Sequence, residues 1–290
     1  MRKVKDILSL IRVHQWLKNG FVFLPILFDE RLFDPAALFS SVIAFFAFSF
    51  VASSIYCLND TIDKVADSQH PDKKHRPIAS GRVSKWQAFV LMLGCLALGG
   101  LLVGMYVPEI YPILGFYYIL NIAYCLKLKQ YAIVDVFVIA LGFVLRVVAG
   151  GFATGIELSS WIILMTFLLA LFLAFSKRRD DIVIYNNFGT SVRDNIRSYN
   201  IDFLNQTITI ISTLSVMCYL MYCMSPETIL RLGEHVYTTL IFVLAGFIRY
   251  LQITMVHEKS GSPTKVLIHD RFLQLCIVGW VLNFGIILYF

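Results

Sequence analysis

Apolar runs alternate with short polar segments along almost the whole chain. The sequence contains nine such runs. As α-helices, most of them would be about long enough to cross the hydrocarbon core of a bilayer. They cover residues 13–28, 36–58, 86–107, 110–126, 132–153, 159–175, 206–224, 236–256 and 271–290. The pattern therefore predicts an all-α polytopic membrane protein with nine transmembrane helices.

The first run differs from the other eight. His14, Gln15, Lys18 and Asn19 open it, and it is apolar only from Phe21. Polar groups at membrane depth need a partner or a cavity, so we expect a tilted or half-buried helix whose polar start faces a cavity. No cleavable signal peptide is expected, because the basic start of the chain lacks a compact apolar stretch with a small-residue cleavage site.

Composition supports the membrane assignment. The chain is 58% hydrophobic and 15% charged, with a mean hydropathy of +0.72, which is far from the average soluble domain. The longest polar stretches, residues 59–85 and 176–205, are expected to be cytoplasmic loops. We therefore expect a single membrane domain over residues 1–290. Six cysteines lie in apolar runs without metal-ligand spacing and are interpreted as small buried hydrophobes.

The distribution of Lys and Arg predicts the orientation. If the amino terminus is cytoplasmic, 21 of the 25 Lys and Arg residues lie on the cytoplasmic side, Arg193 and Lys259 among them. This satisfies the positive-inside rule for a protein of the cell inner (plasma) membrane. The net charge of +6 then reflects topology and anionic lipid or substrate, and no nucleic-acid partner is indicated.

The segment from Asn59 to Asp67 carries three carboxylates and a carboxamide where the second run reaches water. On one continuous helix, Asn59, Asp60, Asp63 and Asp67 would share a quarter of the surface. Such oxygen ligands suit Mg²⁺, which takes one or two carboxylates while it bridges to substrate phosphates. Three crowded acids without a neighbouring arginine also favour a bound cation. We expect these four residues to bind Mg²⁺; a solvated helix end is the alternative.

Basic residues follow on the same predicted side. The loop of residues 70–81 contains Lys73 and Arg76, and its prolines and glycine are expected to keep these cations near the acids. Tyr124 lies at the end of the fourth run, and Lys127 and Lys129 follow it. The loop could bind phosphate, and the alternative is a loop that contacts lipid headgroups.

The fifth run places an arginine inside the membrane. Asp135, Gly142, Arg146 and Gly150 recur at helical spacing, so they share one stripe of the predicted helix. An intramembrane arginine is a functional candidate because its isolation in hydrocarbon is costly. A structural ion pair with Asp135 or Asp63 is the alternative.

The sixth run is followed by Lys177, Arg178 and Arg179, and then by Asp180 and Asp181. A second acidic motif at this point would suggest a second Mg²⁺, whereas three cations favour direct pairing with phosphoryl groups. A topology signal is the alternative for such a run taken alone.

In order and spacing, these motifs resemble the UbiA superfamily of intramembrane prenyltransferases over nearly the whole chain. The acidic segment has the form N-D-x-x-D-x-x-x-D. A narrower resemblance, to the decaprenyl-phosphate phosphoribosyltransferase branch, rests on residues 14–19, 70–71, 76–81, 135–136, 142–146, 149–150 and 177–179. Three departures stand out: Val13 replaces a proline, Asp181 replaces a glutamate, and a second D-x-x-x-D is missing.

The resemblance implies a helical barrel of nine spans that opens toward the cytoplasm, with the acidic motif holding Mg²⁺ and lipid entering laterally. It implies transfer of phosphoribose from phosphoribosyl diphosphate to a polyprenyl phosphate, with release of pyrophosphate, for lipid-linked pentose donors of cell-envelope polymers. The residues expected to act in catalysis are Asp60, Asp63, Lys127 and Arg146. Those expected to bind substrate are Lys18, Lys73, Arg76, Tyr124, Lys129, Asp135, Lys177, Arg178, Arg179 and Asp181.

Two alternatives belong to other classes. One is transfer of a polyprenyl group from its diphosphate to an aromatic acceptor, with the same acids binding Mg²⁺. The other is a membrane transporter or lipid-binding protein without catalysis, which would need polar or broken segments near the bilayer midplane. Whether the chain forms a homo-oligomer is left open by the sequence.

Overall fold

The computed structural model describes residues 2–69, 73–188, 195–258 and 263–289, which form helices and turns with no strand among them. His70, Pro71, Arg193 and Lys259 of the sequence analysis lie outside the described residues. The α-helices are α1 (Arg2–Leu10), α2 (Leu24–Phe28), α3 (Pro35–Ile62), α4 (Lys64–Gln69), α5 (Lys85–Tyr106), α6 (Tyr111–Leu126), α7 (Val134–Thr154), α8 (Ser160–Phe188), α9 (Ile201–Met224), α10 (Pro226–Leu232), α11 (Leu240–Met255), α12 (Pro263–His269) and α13 (Arg271–Tyr289).

Within the described residues, seven helical segments are long and apolar enough to cross a membrane. They are Pro35–Ile62, Lys85–Tyr106, Pro108–Leu126, Val134–Thr154, Ser160–Asn187, Ile201–Met224 and Glu234–Met255. Many large apolar side chains on them are exposed, such as Leu101, Ile119 and Ile241, as expected for a lipid-facing surface. The protein is therefore a multi-pass, all-helical membrane protein. The ninth predicted run forms α13, a shorter apolar helix.

The first predicted run is helical but does not form one continuous α-helix. Residues Val13–Phe23 form a 3₁₀ helix that continues into α2. A 3₁₀ helix of 11 residues is unusually long. Side-chain hydrogen bonds fasten it to α3: Trp16 Nε1 donates to Ser53 Oγ (3.0 Å), and Asn19 Nδ2 donates to Ser49 Oγ (2.9 Å). Of the polar residues that open the run, Asn19 thus helps to attach the segment to α3, whereas His14 and Lys18 are exposed.

The chain divides into two compact units by internal contacts. The first comprises Met1–Lys129 and Leu141–Leu158. Its centre is α3, which packs against α5, α6 and the 3₁₀ helix, with Phe48 and Val51 in the buried core. Gly150 allows close packing there, since a Cβ at this position would overlap the carbonyl oxygen of Val22.

The second unit comprises Gln130–Ala140 and Ser159–Phe290. Helix α8 packs along α9, and α11 packs against α13 and α9. Asn200 caps the start of α9 by accepting from the backbone N–H of Phe203 (2.7 Å). The six cysteines are free and buried, which confirms their prediction as small buried hydrophobes.

Candidate active site

The acidic segment lies across a break between two helices. Helix α3 ends at Ile62, Asp63 is its C-cap, and α4 begins at Lys64, so the expected continuous helix through Asp67 was wrong. Turn geometry still continues across the break, because Asp67 N donates to Asp63 O (2.8 Å). Asp60 and Asp67 are buried and Asp63 is half-buried.

Arg76 joins the two buried acids. Its Nη1 atom donates to Asp67 Oδ2 (2.6 Å) and to Asp60 Oδ1 (3.2 Å). The expectation that the loop keeps a cation near the acids is confirmed for Arg76. The assumption that the acids lack a neighbouring arginine was wrong, because the loop brings Arg76 back onto them.

Arg12 is a second cation on the same acids, and sequence reasoning missed its role. Its Nη2 atom donates to Asp60 Oδ1 (2.6 Å), and its guanidinium lies 4.7 Å from the centre of the Tyr56 ring. Its backbone is left-handed (φ 53°), which is uncommon for a residue other than glycine. A basic residue before the first run was the only signal in the sequence; the contact spans 48 residues along the chain.

Lys129 contacts the third acid. Its Nζ atom donates to Asp63 Oδ1 (2.6 Å), and the side chains are 21% and 27% exposed. Lys127, the C-cap of α6, is exposed, and Tyr124 is half-buried. Together Asp60, Asp63, Asp67, Arg12, Arg76 and Lys129 form what we call the acid cluster.

The acid cluster is suited to hold a positive centre. Oxygens of Asp60 and Asp67 converge on one nitrogen of Arg76, and Asn59 precedes Asp60 on α3. Among the described residues, no three Asp, Glu, His or Cys side chains form a ready-made metal site. Since Mg²⁺ usually takes only one or two protein carboxylates and completes its shell with water and phosphate, this donor set fits Mg²⁺.

Arg146 is enclosed by neutral groups in the first unit. It donates to Asn19 Oδ1 (2.7 Å), Gly142 O (2.5 Å) and Tyr117 OH (3.0 Å). Its guanidinium also lies 5.5 Å from the centre of the Phe48 ring. No carboxylate within the described residues is close enough for a salt bridge, so the alternative of an ion pair with Asp135 or Asp63 was wrong. Arg146 instead holds Asn19, and with it the 3₁₀ helix.

The basic run of the second unit is helical. Helix α8 continues through Lys177 to Phe188, so the prediction of a loop from residue 176 was wrong there. Arg178 is 1% exposed and lies between two buried carboxylates. Its Nε donates to Asp135 Oδ2 (2.9 Å), and its Nη1 donates to Asp181 Oδ2 (3.1 Å). We call Arg178, Asp135 and Asp181 the buried triad.

Arg179 contacts the end of α11. It donates to Asn205 Oδ1 (2.8 Å) and to the carbonyl oxygens of Thr254 (2.6 Å) and Met255 (3.4 Å). A cation there satisfies carbonyls that a helix end leaves unpaired and complements the helix dipole. Lys177, the neighbouring residue, is half-buried.

The two remaining predicted cations are accessible. Lys18 is exposed on the 3₁₀ helix, and Lys73 is half-buried in a short 3₁₀ turn, Lys73–His75. Both belong to the first unit.

Known proteins resemble this chain over nearly its whole length. The model of the UbiA prenyltransferase family matches residues 26–276. A decaprenyl-phosphate phosphoribosyltransferase of Mycolicibacterium smegmatis is 31% identical, over 99% of this chain and 93% of the relative. The enzyme of the same name from Mycobacterium tuberculosis H37Rv is 31% identical, over 97% of this chain and 94% of the relative.

Solved structures show the same fold. A UbiA homologue from Archaeoglobus fulgidus, bound to GPP and Mg²⁺, superposes with a TM-score of 0.70. The match covers 98% of this chain and 100% of that one, at 18% identity. Family membership makes the protein an enzyme, rather than a transporter or lipid-binding scaffold. The chain is a transferase that belongs to the UbiA prenyltransferase family.

Proposed function

We propose that the protein transfers 5-phosphoribose from phosphoribosyl diphosphate to a polyprenyl phosphate of the decaprenyl type and releases pyrophosphate. The observation that carries the proposal is the near-full-length similarity to relatives named decaprenyl-phosphate phosphoribosyltransferase. The acid cluster supports it, because carboxylates paired with partly exposed cations suit a charged diphosphate and its metal ion.

The reaction is a single displacement at the anomeric carbon. An oxygen of the polyprenyl phosphate forms a bond to C1 of the ribosyl group while the bond from C1 to the diphosphate breaks, and the diphosphate leaves with the electron pair. The sugar then resembles an oxocarbenium ion, as in other glycosyl transfers. A phosphate monoester is mostly ionised near neutral pH, so its oxygen needs positioning more than a general base.

Asn59, Asp60, Asp63 and Asp67 would hold Mg²⁺. When bound, the metal ion supplies a Lewis acid that neutralises charge on the departing diphosphate. Arg12, Arg76 and Lys129 reach the same acids, with side chains 21%, 27% and 21% exposed. Cations with this access can pair with phosphoryl oxygens in place of their present partners.

The other residues keep their predicted roles as hypotheses, except Arg146. Lys127 is assigned to the sugar 5-phosphate and the leaving diphosphate, Lys18 to the lipid phosphate, and Lys73 and Tyr124 to substrate binding. Arg146 acts in our proposal by holding Asn19 and the 3₁₀ helix in place. In the second unit, Lys177, Arg178 and Arg179 are assigned to phosphoryl binding, with Asp135 and Asp181 orienting Arg178.

We further propose nine membrane crossings in one transferase domain, with the amino terminus and the site facing the cytoplasm of the inner membrane. The 3₁₀ helix of 11 residues rises about 22 Å. Helix α2 adds about 7 Å, which together approaches the roughly 30 Å hydrocarbon core. Helix α13, at 19 residues, reaches about 28 Å. Labelling of single cysteines from either side of sealed vesicles tests the topology; an external site near Lys73 would contradict it.

One assay tests the proposed activity. Purified protein in nanodiscs receives Mg²⁺, ribose-labelled phosphoribosyl diphosphate and decaprenyl phosphate, beside a parallel reaction with a prenyl diphosphate and 4-hydroxybenzoate. We expect the ribose label to become lipid-soluble and pyrophosphate to be released in equal amount. A prenylated aromatic product without lipid-soluble ribose would overturn the proposal in favour of prenyl transfer.

A further inference from the structure

Tyr199 makes two hydrogen bonds through one buried hydroxyl in the second unit. The hydroxyl accepts from the backbone N–H of Ile133 (2.6 Å) and donates to Asp135 Oδ1 (3.2 Å). Burial raises the pKa of Tyr199 to about 12, so the hydroxyl keeps the proton that it donates. The centre of its ring lies 6.2 Å from that of Phe203 on α9, with the two ring planes 27° apart.

Ile133 has a backbone conformation that its side chain disfavours. Its φ angle is +69°, where a β-branched residue is a genuine outlier. Such a conformation persists only where the surrounding structure holds it, and outliers of this kind collect at functional sites. Ile133 immediately precedes α7, whose second residue is Asp135.

Packing of the Ile133 side chain does not explain the conformation. The side chain is 46% exposed. A cavity of about 420 Å³ lies beside it, lined by Ala132, Ile133, Arg197, Ser198, Tyr199, Asn200 and Phe203. Space is therefore available for the turn to relax. The Ile133 carbonyl accepts from the N–H groups of Val136 and Phe137 at the start of α7, and the hydrogen bond to Tyr199 is the side-chain contact that opposes relaxation.

We propose that Tyr199 is a positioning residue. By accepting from Ile133 N–H, it holds the turn before α7 in its strained conformation, and by donating to Asp135 it sets the carboxylate that receives Arg178 Nε. The second Asp135 oxygen is thereby left for Arg178 alone. Tyr199 thus orients the buried triad without contacting substrate.

We call the two hydrogen bonds of the Tyr199 hydroxyl, to Ile133 N–H and to Asp135, the clamp. Its effect on catalysis rests on the proposed function, in which Arg178 serves phosphoryl binding. A displaced Asp135 would displace Arg178, and an error of about 1 Å in a binding group can cost about 100-fold in rate. The effect of the clamp on the turn itself does not depend on the reaction.

The first test compares Tyr199→Phe with Tyr250→Phe. Both remove only a hydroxyl from a buried ring of the second unit, and the Tyr250 hydroxyl has no hydrogen-bond partner among the described residues. In nanodiscs, amide hydrogen exchange in peptides covering residues 130–137 should rise about 10-fold or more in the Tyr199 variant and stay as in wild type in the Tyr250 variant. Unchanged exchange in the Tyr199 variant would overturn the clamp.

The second test asks whether backbone strain is the reason for the clamp. Glycine adopts φ +69° without steric cost, so Ile133→Gly in the Tyr199→Phe background should restore part of the activity. We expect kcat/KM for phosphoribosyl diphosphate to fall by about 10- to 100-fold in Tyr199→Phe and to recover at least about 5-fold in the double variant. If kcat/KM falls in Tyr199→Phe and does not recover in the double variant, backbone strain at Ile133 is not the reason for the loss of activity.

The two readouts separate the clamp from the proposed reaction. If wild-type protein transfers no phosphoribose, the proposed function fails, and the exchange comparison still supports or overturns the clamp. If wild-type protein is active and Tyr199→Phe has full activity, the positioning role is overturned. Ile133→Gly alone should stay within about 3-fold of wild type, because it removes an exposed side chain.

Discussion

The acid cluster and the buried triad use the same kinds of ion pair but differ in access to solvent. In the acid cluster the cations Arg12, Arg76 and Lys129 are about one-fifth to one-quarter exposed. In the buried triad, the side chains of Arg178 and Asp135 are 1% and 0% exposed. The carboxylates of Asp60 and Asp67 are buried as well, at 2% and 4% exposed, so the two clusters differ in their cations. A cation that reaches solvent can exchange partners, whereas removing a cation from between two buried carboxylates leaves uncompensated charge.

The difference indicates separate roles for two groups of charges that look alike in the sequence. The long side chains of Arg12, Arg76 and Lys129 can exchange a carboxylate for a phosphate, because each of them is partly exposed to solvent. Arg178 stays paired with its two buried carboxylates, so it would meet a phosphoryl group from a fixed position. The acid cluster is therefore suited to exchange ligands, and the buried triad to hold a fixed geometry. The predictions below test this contrast.

The largest expected effect is on stability, from Arg178→Met. It leaves Asp135 and Asp181 buried without their cation, which should lower the free energy of unfolding by about 3–5 kcal/mol. Denaturant unfolding in detergent measures it. The matched control is Arg197→Met, an exposed arginine of the same unit, which should change stability by less than about 0.5 kcal/mol. Equal stability of the two variants would remove the contrast between the clusters.

Asp63→Asn should act on activity rather than on folding. Loss of a carboxylate from the acid cluster should lower kcat for phosphoribosyl transfer by about 100-fold or more. The thermal midpoint should fall by no more than about 4 °C, because the Lys129–Asp63 pair is partly exposed. Glu109→Gln, an exposed acid elsewhere in the first unit, serves as control and should keep wild-type activity. Retained transfer in Asp63→Asn would refute the metal assignment.

Arg76→Gln should change metal binding. If Arg76 competes with a metal ion for Asp60 and Asp67, its removal should lower the half-saturating Mg²⁺ or Mn²⁺ concentration by about 3- to 10-fold. Mn²⁺ binding followed by electron paramagnetic resonance measures this without an activity assay. Arg82→Gln is the matched control, because Arg82 in the same region donates to Asp6 and to the carbonyl oxygen of His75. Weaker Mn²⁺ binding in Arg76→Gln would contradict the proposal that Arg76 competes with the metal ion for Asp60 and Asp67.

The smallest effect is expected at a partly exposed pair of the second unit. A hydrogen bond from Arg249 lowers the pKa of Asp270 below its usual value. The stabilisation is therefore fully present above the unfolded pKa, near 3.9, and disappears as the pH falls through the lower folded pKa. Asp270→Asn should cost about 1 kcal/mol at pH 7, and less as the pH approaches 3. A cost independent of pH would assign the effect to lost packing.

Much of the site was predictable because its chemistry is local in sequence. Asn59 to Asp67 lie within nine positions, and the positive charges of residues 73–76 follow within the next nine, so little chain entropy opposes a contact between Arg76 and the acids. The resemblance to the UbiA superfamily depended on the same short motifs, and the family model confirmed it. Partners distant in sequence, such as Arg12 for Asp60 and Tyr199 for Ile133, gave no comparable signal.

The sequence by itself determined the membrane class, the helical nature of most apolar runs, the buried cysteines and the position of the acidic motif. These properties follow from hydrophobicity and spacing, which act over a few helical turns. Only the tertiary structure decided that residues 13–23 form a 3₁₀ helix, that Asp63 ends α3, and which charges are buried. Whether an arginine can exchange its carboxylate for another partner or stays held between two carboxylates depends on its solvent access, and access is set by packing between segments far apart in the chain.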